Sequence, residues 1–412
     1  MSGAGCEIAE DEVKFFAAIA AAKTLAPARH SKARRSVEED TKGELNKMIT
    51  ATLFPGKYIQ GYDAVYELKT LIPRYGKKGF IIASPSAVEK VLPEIQASIH
   101  EAAPVVIGQF NRECSDEEIA RLKTIAEQEA CDVVIGLGGG KTLDTAKAVA
   151  HEMDRPVIII PTIASTDAPC SALSVIYRSD TGRIKRVLTL RRNPDVVLAD
   201  TKIIVNSPER FLVAGMGDAL ATWFEAESCR LKNAKNMVRK HSSMTAQSLA
   251  RLCYETLLEY GLSAKMACKH HVVIPAIEHV VEANTLLSGI GFESAGLAAA
   301  HAIQDGLSAL DKGHKYYHGE KVAFGVLVSL FLTDKSSDMI DEVYSFCESV
   351  GLPTTLAAIS LENASDEELG KAASIACAEK ETIHNEPMTV TPASVVAAIK
   401  VADEEGRQRQ ML

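Results

Sequence analysis

Along the first half of the chain, short apolar runs alternate with longer stretches of helical spacing. Residues 79–83, 104–108, 132–136, 157–160 and 196–198 are almost wholly apolar, the pattern of a strand buried on both faces rather than on one. Residues 116–130 and 142–153 fall between such runs with polar and apolar positions at helical spacing. Strand and helix in alternation predict a Rossmann-like α/β nucleotide-binding domain, a parallel sheet with helices on both faces. Between 172 and 190 the residues alternate around Ser179-Asp180-Thr181-Gly182, a turn sequence, so a β-hairpin is expected to interrupt the sheet.

Past residue 206 the pattern changes to long alanine- and leucine-rich stretches, at 216–228, 243–260 and 274–288. These predict an all-α second domain. Gly289-Ile290-Gly291 is expected to break one such helix, and Pro353 and Pro387 mark later loops. The chain then divides into an N-terminal extension (1–53), a dinucleotide-binding domain (54–205) and a helical domain (206–412). The extension has an alanine-rich apolar stretch at 15–25 and a basic one at 29–35. Glu7, Glu10, Asp11 and Glu12 argue against a transit peptide, which is poor in acids. A solvated helical extension of a cytoplasmic protein is the expectation, with an organellar targeting segment as the alternative.

Composition narrows the classes of function. The chain has 412 residues, 47% hydrophobic and 24% charged, an ordinary globular make-up with room for two domains. A formal net charge of −9 argues against a nucleic-acid or anionic-lipid partner, and no apolar run is long enough to cross a bilayer. The 9 cysteines form no Cys-x-x-Cys pair, which fits reduced, mostly buried thiols. Cys170 beside a candidate loop is a possible nucleophile, but the metal chemistry below leaves it no task.

The segment with most chemistry is Val133-Val134-Ile135-Gly136-Leu137-Gly138-Gly139-Gly140-Lys141-Thr142. An apolar strand runs into glycines and then a helix start, where free amides and the helix dipole attract an anion. The P-loop pattern fails because Ile135 stands where its first glycine belongs, and the Gly-x-Gly-x-x-Gly fingerprint meets Lys141 in place of its last. A phosphate cradle remains, with a tight connection as the bland alternative. A second polar loop, 161–172, follows the apolar run at 157–160 and so lies where parallel sheets bind ligands.

Asp218, His301 and His318 lie among apolar or small residues. One carboxylate and two imidazoles suit a zinc ion with a fourth position left for substrate. Taken singly, Asp218 could instead be a helix cap and each histidine a satisfied core residue or a helix flank. Their spacing decides nothing, because they can meet only through the fold.

Five motifs taken together resemble the iron-containing alcohol dehydrogenase family, on its glycerol-oxidising branch. They are Gly138-Gly139-Gly140-Lys141-Thr142-Leu143-Asp144-Thr145-Ala146-Lys147, the stretch 161–177, Gly217-Asp218-Ala219-Leu220-Ala221-Thr222-Trp223-Phe224-Glu225-Ala226, Gly291-Phe292-Glu293-Ser294 and His318-Gly319-Glu320-Lys321-Val322-Ala323-Phe324-Gly325. The resemblance spans about 54–405 in order and leaves the extension outside. It implies a dehydroquinate synthase-like architecture and NAD-dependent oxidation of glycerol to dihydroxyacetone. It further implies that Gly138, Gly139, Gly140, Lys141, Asp144, Thr162, Ser165, Ser171, Leu173 and Tyr177 contact the dinucleotide. Asp167 would hold a substrate hydroxyl, and Asp218, His301 and His318 would bind Zn2+, all four being catalytic and in contact with substrate.

Iron-using relatives carry a histidine four residues after the aspartate; this chain has Thr222 there. After the strand at 79–83 the family's NAD users carry an acid for the adenosine ribose; this chain has Ser84, so NAD is expected and NADP stays open. A small polyol substrate and a homo-oligomer complete the expectation. The rivals are a dehydroquinate synthase-like lyase using NAD and zinc, a dehydrogenase of another vicinal diol, a P-loop NTPase and a non-catalytic dinucleotide-binding module. The lyase would need basic residues for a phosphate-bearing substrate, and 162–172 has none.

Overall fold

Successive side chains of a strand point to opposite faces, so a strand apolar on both needs a helical layer on each side. In the computed structural model, which describes residues 48–101, 103–310 and 315–411, β1 (Tyr58–Gly61), β2 (Gly79–Ala83), β3 (Val105–Gln109), β4 (Val133–Gly138), β5 (Val157–Pro161) and β8 (Val196–Asp200) form one parallel sheet in the order β1-β8-β5-β4-β2-β3. On one face Ile81, Val133, Ile135 and Ile158 pack against Leu71 and Ile72 of α1 (Leu68–Tyr75) and Ile95 and Ile99 of α2 (Leu92–His100). On the other, Phe80, Ile82, Val134 and Ile159 meet Ile119 and Leu122 of α3 (Asp116–Gln128) and Ala146 and Val149 of α4 (Gly140–Met153).

β2 lies between β3 and β4, so the order of strand addition reverses there. Such a switch point opens a crevice beyond the carboxyl ends of the strands. Ser84 follows β2 and the glycine turn follows β4, one on each side of that crevice.

The expected hairpin is present as β6 (Leu173–Tyr177) and β7 (Ile184–Thr189), with Gly182 at φ 64° in its turn. It forms a two-stranded sheet of its own and does not interrupt the parallel one. β1 carried no sequence expectation because its residues are only half-buried and it has one strand partner, β8.

The helical half centres on α5 (Glu209–Lys232), α6 (Pro275–Ala295), α7 (Ala299–Ser308) and α8 (His318–Leu332). The break expected at Gly289-Ile290-Gly291 does not occur, and α6 runs through it. Those glycines serve close packing: a Cβ on Gly289 would stand 2.9 Å from the Cys170 Cβ, and one on Gly291 2.3 Å from the Thr222 Cγ2. The irregularity lies upstream as a π turn at Ala283–Leu287, a feature frequent at functional sites. Between α6 and α7 the chain bends by 101° at Gly296, whose φ is 105°. Among the described residues no single helix is long and apolar enough to cross a membrane.

Thr50–Leu412 is one unit. The N-terminal extension, expected to be helical, lies outside the described residues except at its end, where the Leu53 amide donates to Ser294 Oγ at 2.9 Å.

α5 and α8 cross backbone to backbone. A Cβ on Gly319 would stand 1.8 Å from the Ala214 carbonyl oxygen, and one on Gly217 2.3 Å from that of Gly319. Gly319→Ala is therefore expected to force the helices apart, at a cost of about 1–3 kcal/mol. Denaturant unfolding should show the loss, and an unchanged midpoint would contradict so tight a crossing.

Candidate metal and dinucleotide site

Asp218 lies in the middle of α5, buried, so it is no helix cap. His301 stands near the start of α7, and His318 is the first residue of α8. The Gly217–Gly319 crossing brings the start of α8 onto the turn of α5 that holds Asp218. As a result Asp218 Oδ1 stands 3.4 Å from His301 Nε2 and 3.3 Å from His318 Nε2. Three donor atoms, one from each residue, lie within 4.8 Å of one another.

Those distances are long for charge-assisted hydrogen bonds, and Asp218 Oδ1 is a buried oxygen with no hydrogen-bond partner. Leaving such an oxygen unsatisfied is costly, which calls for an explanation. Two donors each about 2.0–2.1 Å from one tetrahedral ion stand about 3.3–3.4 Å apart, so the separations observed fit ligands that share a cation.

The surroundings are arranged to match. His301 Nδ1 is 2.6 Å from Glu225 Oε2, while Glu225 Oε1 accepts from the amides of Ala298 and His301 at 2.9 and 3.0 Å. A carboxylate behind a ligating histidine fixes ring orientation and raises its basicity. Burial pulls the His301 pKa down, but Glu225 and Asp218 pull it up more strongly, and it ends well above its ordinary value. That potential favours a cation.

Asp218 Oδ2 accepts from the Asp167 amide at 3.2 Å, which puts the fourth expected residue against the cluster. Burial and the charge of Asp218 push the Asp167 carboxyl well above its usual range. Ser288 Oγ donates to Asp167 Oδ2 at 3.0 Å.

The expected dinucleotide residues follow the carboxyl ends of β2, β4 and β5. Gly139 precedes α4 and no side chain caps that helix, so its first amides can take an anion. The Thr162 amide donates to the Gly138 carbonyl at 2.9 Å, joining the two loops. Ser84 caps its own helix through the Ala87 amide at 3.2 Å. Ser165 is half-buried on the loop after β5. Lys141 Nζ pairs with Glu113 at 2.8 Å and lies 4.3 Å from the Tyr177 ring centroid.

Asp144, Ser171 and Leu173 shape the loop around buried Lys147. Its Nζ lies 2.9 Å from Asp144 Oδ1 and donates to the carbonyls of Ala168, Ser171 and Leu173 at 2.9, 3.5 and 2.5 Å. Asp144 Oδ2 accepts from the Val175 amide at 3.0 Å, and Ser171 Oγ donates to the Ala168 carbonyl. Glu293 anchors the same loop through the Ala172 amide at 2.8 Å and Asn193 at 2.6 Å. Cys170 is buried with its thiol pKa pushed far up by that burial, so it is no nucleophile.

Sequence reasoning gave no role to Glu225, Lys147, Ser288 or Glu293. A signal existed for two of them. Glu225 follows Asp218 by two helical turns, and Lys147 follows Asp144 by three residues. Ser288 and Glu293 reach the loop through the π turn and the packing of α6, which leave no local signature.

The family model for iron-containing alcohol dehydrogenase matches residues 55–201. A glycerol dehydrogenase from Thermotoga maritima is 60% identical over 365 residues, covering 89% of this chain and 100% of that protein. One from Escherichia coli is 49% identical over 86% of this chain and 96% of its own length. The crystal structure of glycerol dehydrogenase from Schizosaccharomyces pombe superposes with a TM-score of 0.84 at 37% identity, over 88% of this chain and 93% of that one.

A second buried acid stands behind the cluster. Glu386 Oε1 accepts from the Ala299 amide at 3.0 Å, Oε2 has no partner, and burial with help from Glu225 pushes the pKa to about 7. The native state thus holds a proton that the unfolded chain loses near pH 4.3. Stability from this group is full below about 4.3 and is lost as pH rises through about 7. Glu386→Gln keeps the acceptor and cannot ionise, so at pH 8.5 it is expected to exceed the wild type by on the order of 2 kcal/mol in denaturant unfolding. Equal stabilities at pH 8.5 would contradict a carboxyl whose pKa burial raises this far.

Proposed function

The chain belongs to the iron-containing alcohol dehydrogenase family, and from that premise we propose that it oxidises the C2 hydroxyl of glycerol to dihydroxyacetone, with NAD as hydride acceptor and zinc held by Asp218, His301 and His318. The carrying observation is the partnerless buried Asp218 Oδ1, set 3.3 and 3.4 Å from two imidazole nitrogens. Three O and N ligands with a position left open are the pattern of a catalytic zinc site. The identities to glycerol dehydrogenases support the polyol substrate.

When bound, the divalent ion supplies Lewis acidity that stabilises negative charge on an alcohol oxygen, and the dinucleotide supplies the redox chemistry. The protein's own groups do the positioning. Asp218 presents Oδ1 to the site while the Asp167 amide holds its Oδ2. Glu225 fixes the His301 ring so that Nε2 faces Asp218. Asp167, on the loop after β5, accepts a hydrogen bond from a second substrate hydroxyl. Gly138, Gly139 and Gly140 present the open amides at the start of α4 to the pyrophosphate. Thr162, Ser165, Ser171, Leu173 and Tyr177 follow β5 along the same edge, and Ser84 faces the adenosine ribose without the charge that would repel a 2′-phosphate.

Asp218→Ala and His301→Ala are each expected to yield folded protein that retains no metal, with kcat/KM for glycerol lower by about a thousandfold, since Lewis-acid stabilisation contributes several kcal/mol. Metal analysis beside steady-state kinetics checks this. Near-normal turnover after dialysis against a chelator would remove the metal from the mechanism.

Lys141→Ala should chiefly raise the KM for NAD, about tenfold for one charge-assisted contact. An unchanged KM would separate Lys141 from the cofactor.

A further inference from the structure

Two buried hydroxyls stand behind Asp167 without a part in the reaction so far. Thr222 Oγ1 on α5 lies 2.8 Å from Ser288 Oγ on α6, and Ser288 Oγ lies 3.0 Å from Asp167 Oδ2. Both residues are within 1% of full burial, so water does not compete for these bonds. A serine hydroxyl has one proton. If Ser288 gives it to the carboxylate, the proton between Ser288 and Thr222 must come from Thr222, and the chain runs one way from Thr222 through Ser288 to Asp167. Its far end is held by packing, since Thr222 Cγ2 lies against the bare Cα of Gly291.

The Asp167 carboxylate is thereby fixed at one oxygen. Its backbone amide is tied to Asp218 Oδ2. Among the described residues no hydrogen bond to Asp167 Oδ1 is found, and Asp167 keeps partial exposure. A carboxylate held at Oδ2 and at its own amide aims Oδ1 in one direction.

We propose that Ser288 and Thr222 are positioning residues that aim Asp167 at the non-reacting hydroxyl of the substrate, so that the enzyme selects vicinal diols over monohydric alcohols. This rests on the oxidoreductase reading above. The selection works through an unpaired group: a monohydric alcohol seated over Asp167 shields Oδ1 from water without offering it a donor, and sites built to hydrogen-bond a hydroxyl reject analogues that lack it. Without Ser288 the carboxylate can turn, and much of that penalty disappears.

The test compares glycerol with 2-propanol as substrates for the zinc-loaded wild type, Ser288→Ala, Thr222→Val and Thr222→Ser, with bound metal measured for each. Ser288→Ala is expected to lower the glycerol to 2-propanol ratio of kcat/KM by about tenfold or more, mostly through the KM for glycerol. Thr222→Val should move the ratio the same way by less, and Thr222→Ser, which keeps the hydroxyl, should restore it. An unchanged ratio in Ser288→Ala at wild-type metal content would overturn the proposal. So would an equal loss on both alcohols, which marks damage to the metal centre. A wild type that oxidises neither alcohol overturns the oxidoreductase reading itself, and the proposal with it.

Discussion

One carboxylate oxygen, Asp218 Oδ1, lies deep in the helical half with no donor to satisfy it and with imidazole nitrogens 3.3 and 3.4 Å away. A buried carboxylate calls for compensating positive charge, and a divalent ion shared with the two rings would supply it. Much of the local structure reads as a response to that constraint. The glycine crossing of α5 and α8 sets the distance to His318, and the right-angled bend between α6 and α7 presents His301 from the other side. Glu225 then adds a second negative charge, which would be unfavourable in an apolar core and is useful beside a cation.

The sheet half solves a different electrostatic problem with the same economy of parts. Lys147 is a fully buried cation, and it is satisfied by Asp144 and by carbonyls of the loop that follows β5. That arrangement ties α4 to the loop carrying Asp167. Glu293 and Asn284 extend the connection from α6, where Asn284 donates to the carbonyls of Ala164 and Leu212 at 3.0 and 3.1 Å. The loop 162–172 is therefore held by groups from both halves.

Much of this was legible in the chain. Strands apolar on both faces could only be a covered parallel sheet, and glycines between strand and helix marked the uncapped turn that opens α4. The cluster of Asp218, His301 and His318 was visible as residue types in the wrong surroundings, although the distances that unite them belong to the fold alone. Gly289 and Gly291 have the signature of a helix break in the sequence, whereas in the fold they let α6 approach Cys170 and Thr222. Ser288 and Glu293 carried no signal, because their reach depends on a π turn that periodicity does not reveal. Lys141 illustrates a further gap, since its pairing with Glu113 and Tyr177 joins residues far apart in sequence.

X-ray absorption at the zinc edge of the loaded protein asks most directly whether Asp218, His301 and His318 share one divalent ion. The expected spectrum has a light-atom shell at about 2.0–2.1 Å, outer-shell scattering from two imidazoles and no sulfur. A sulfur shell at about 2.3 Å, or a spectrum without imidazole scattering, would contradict it.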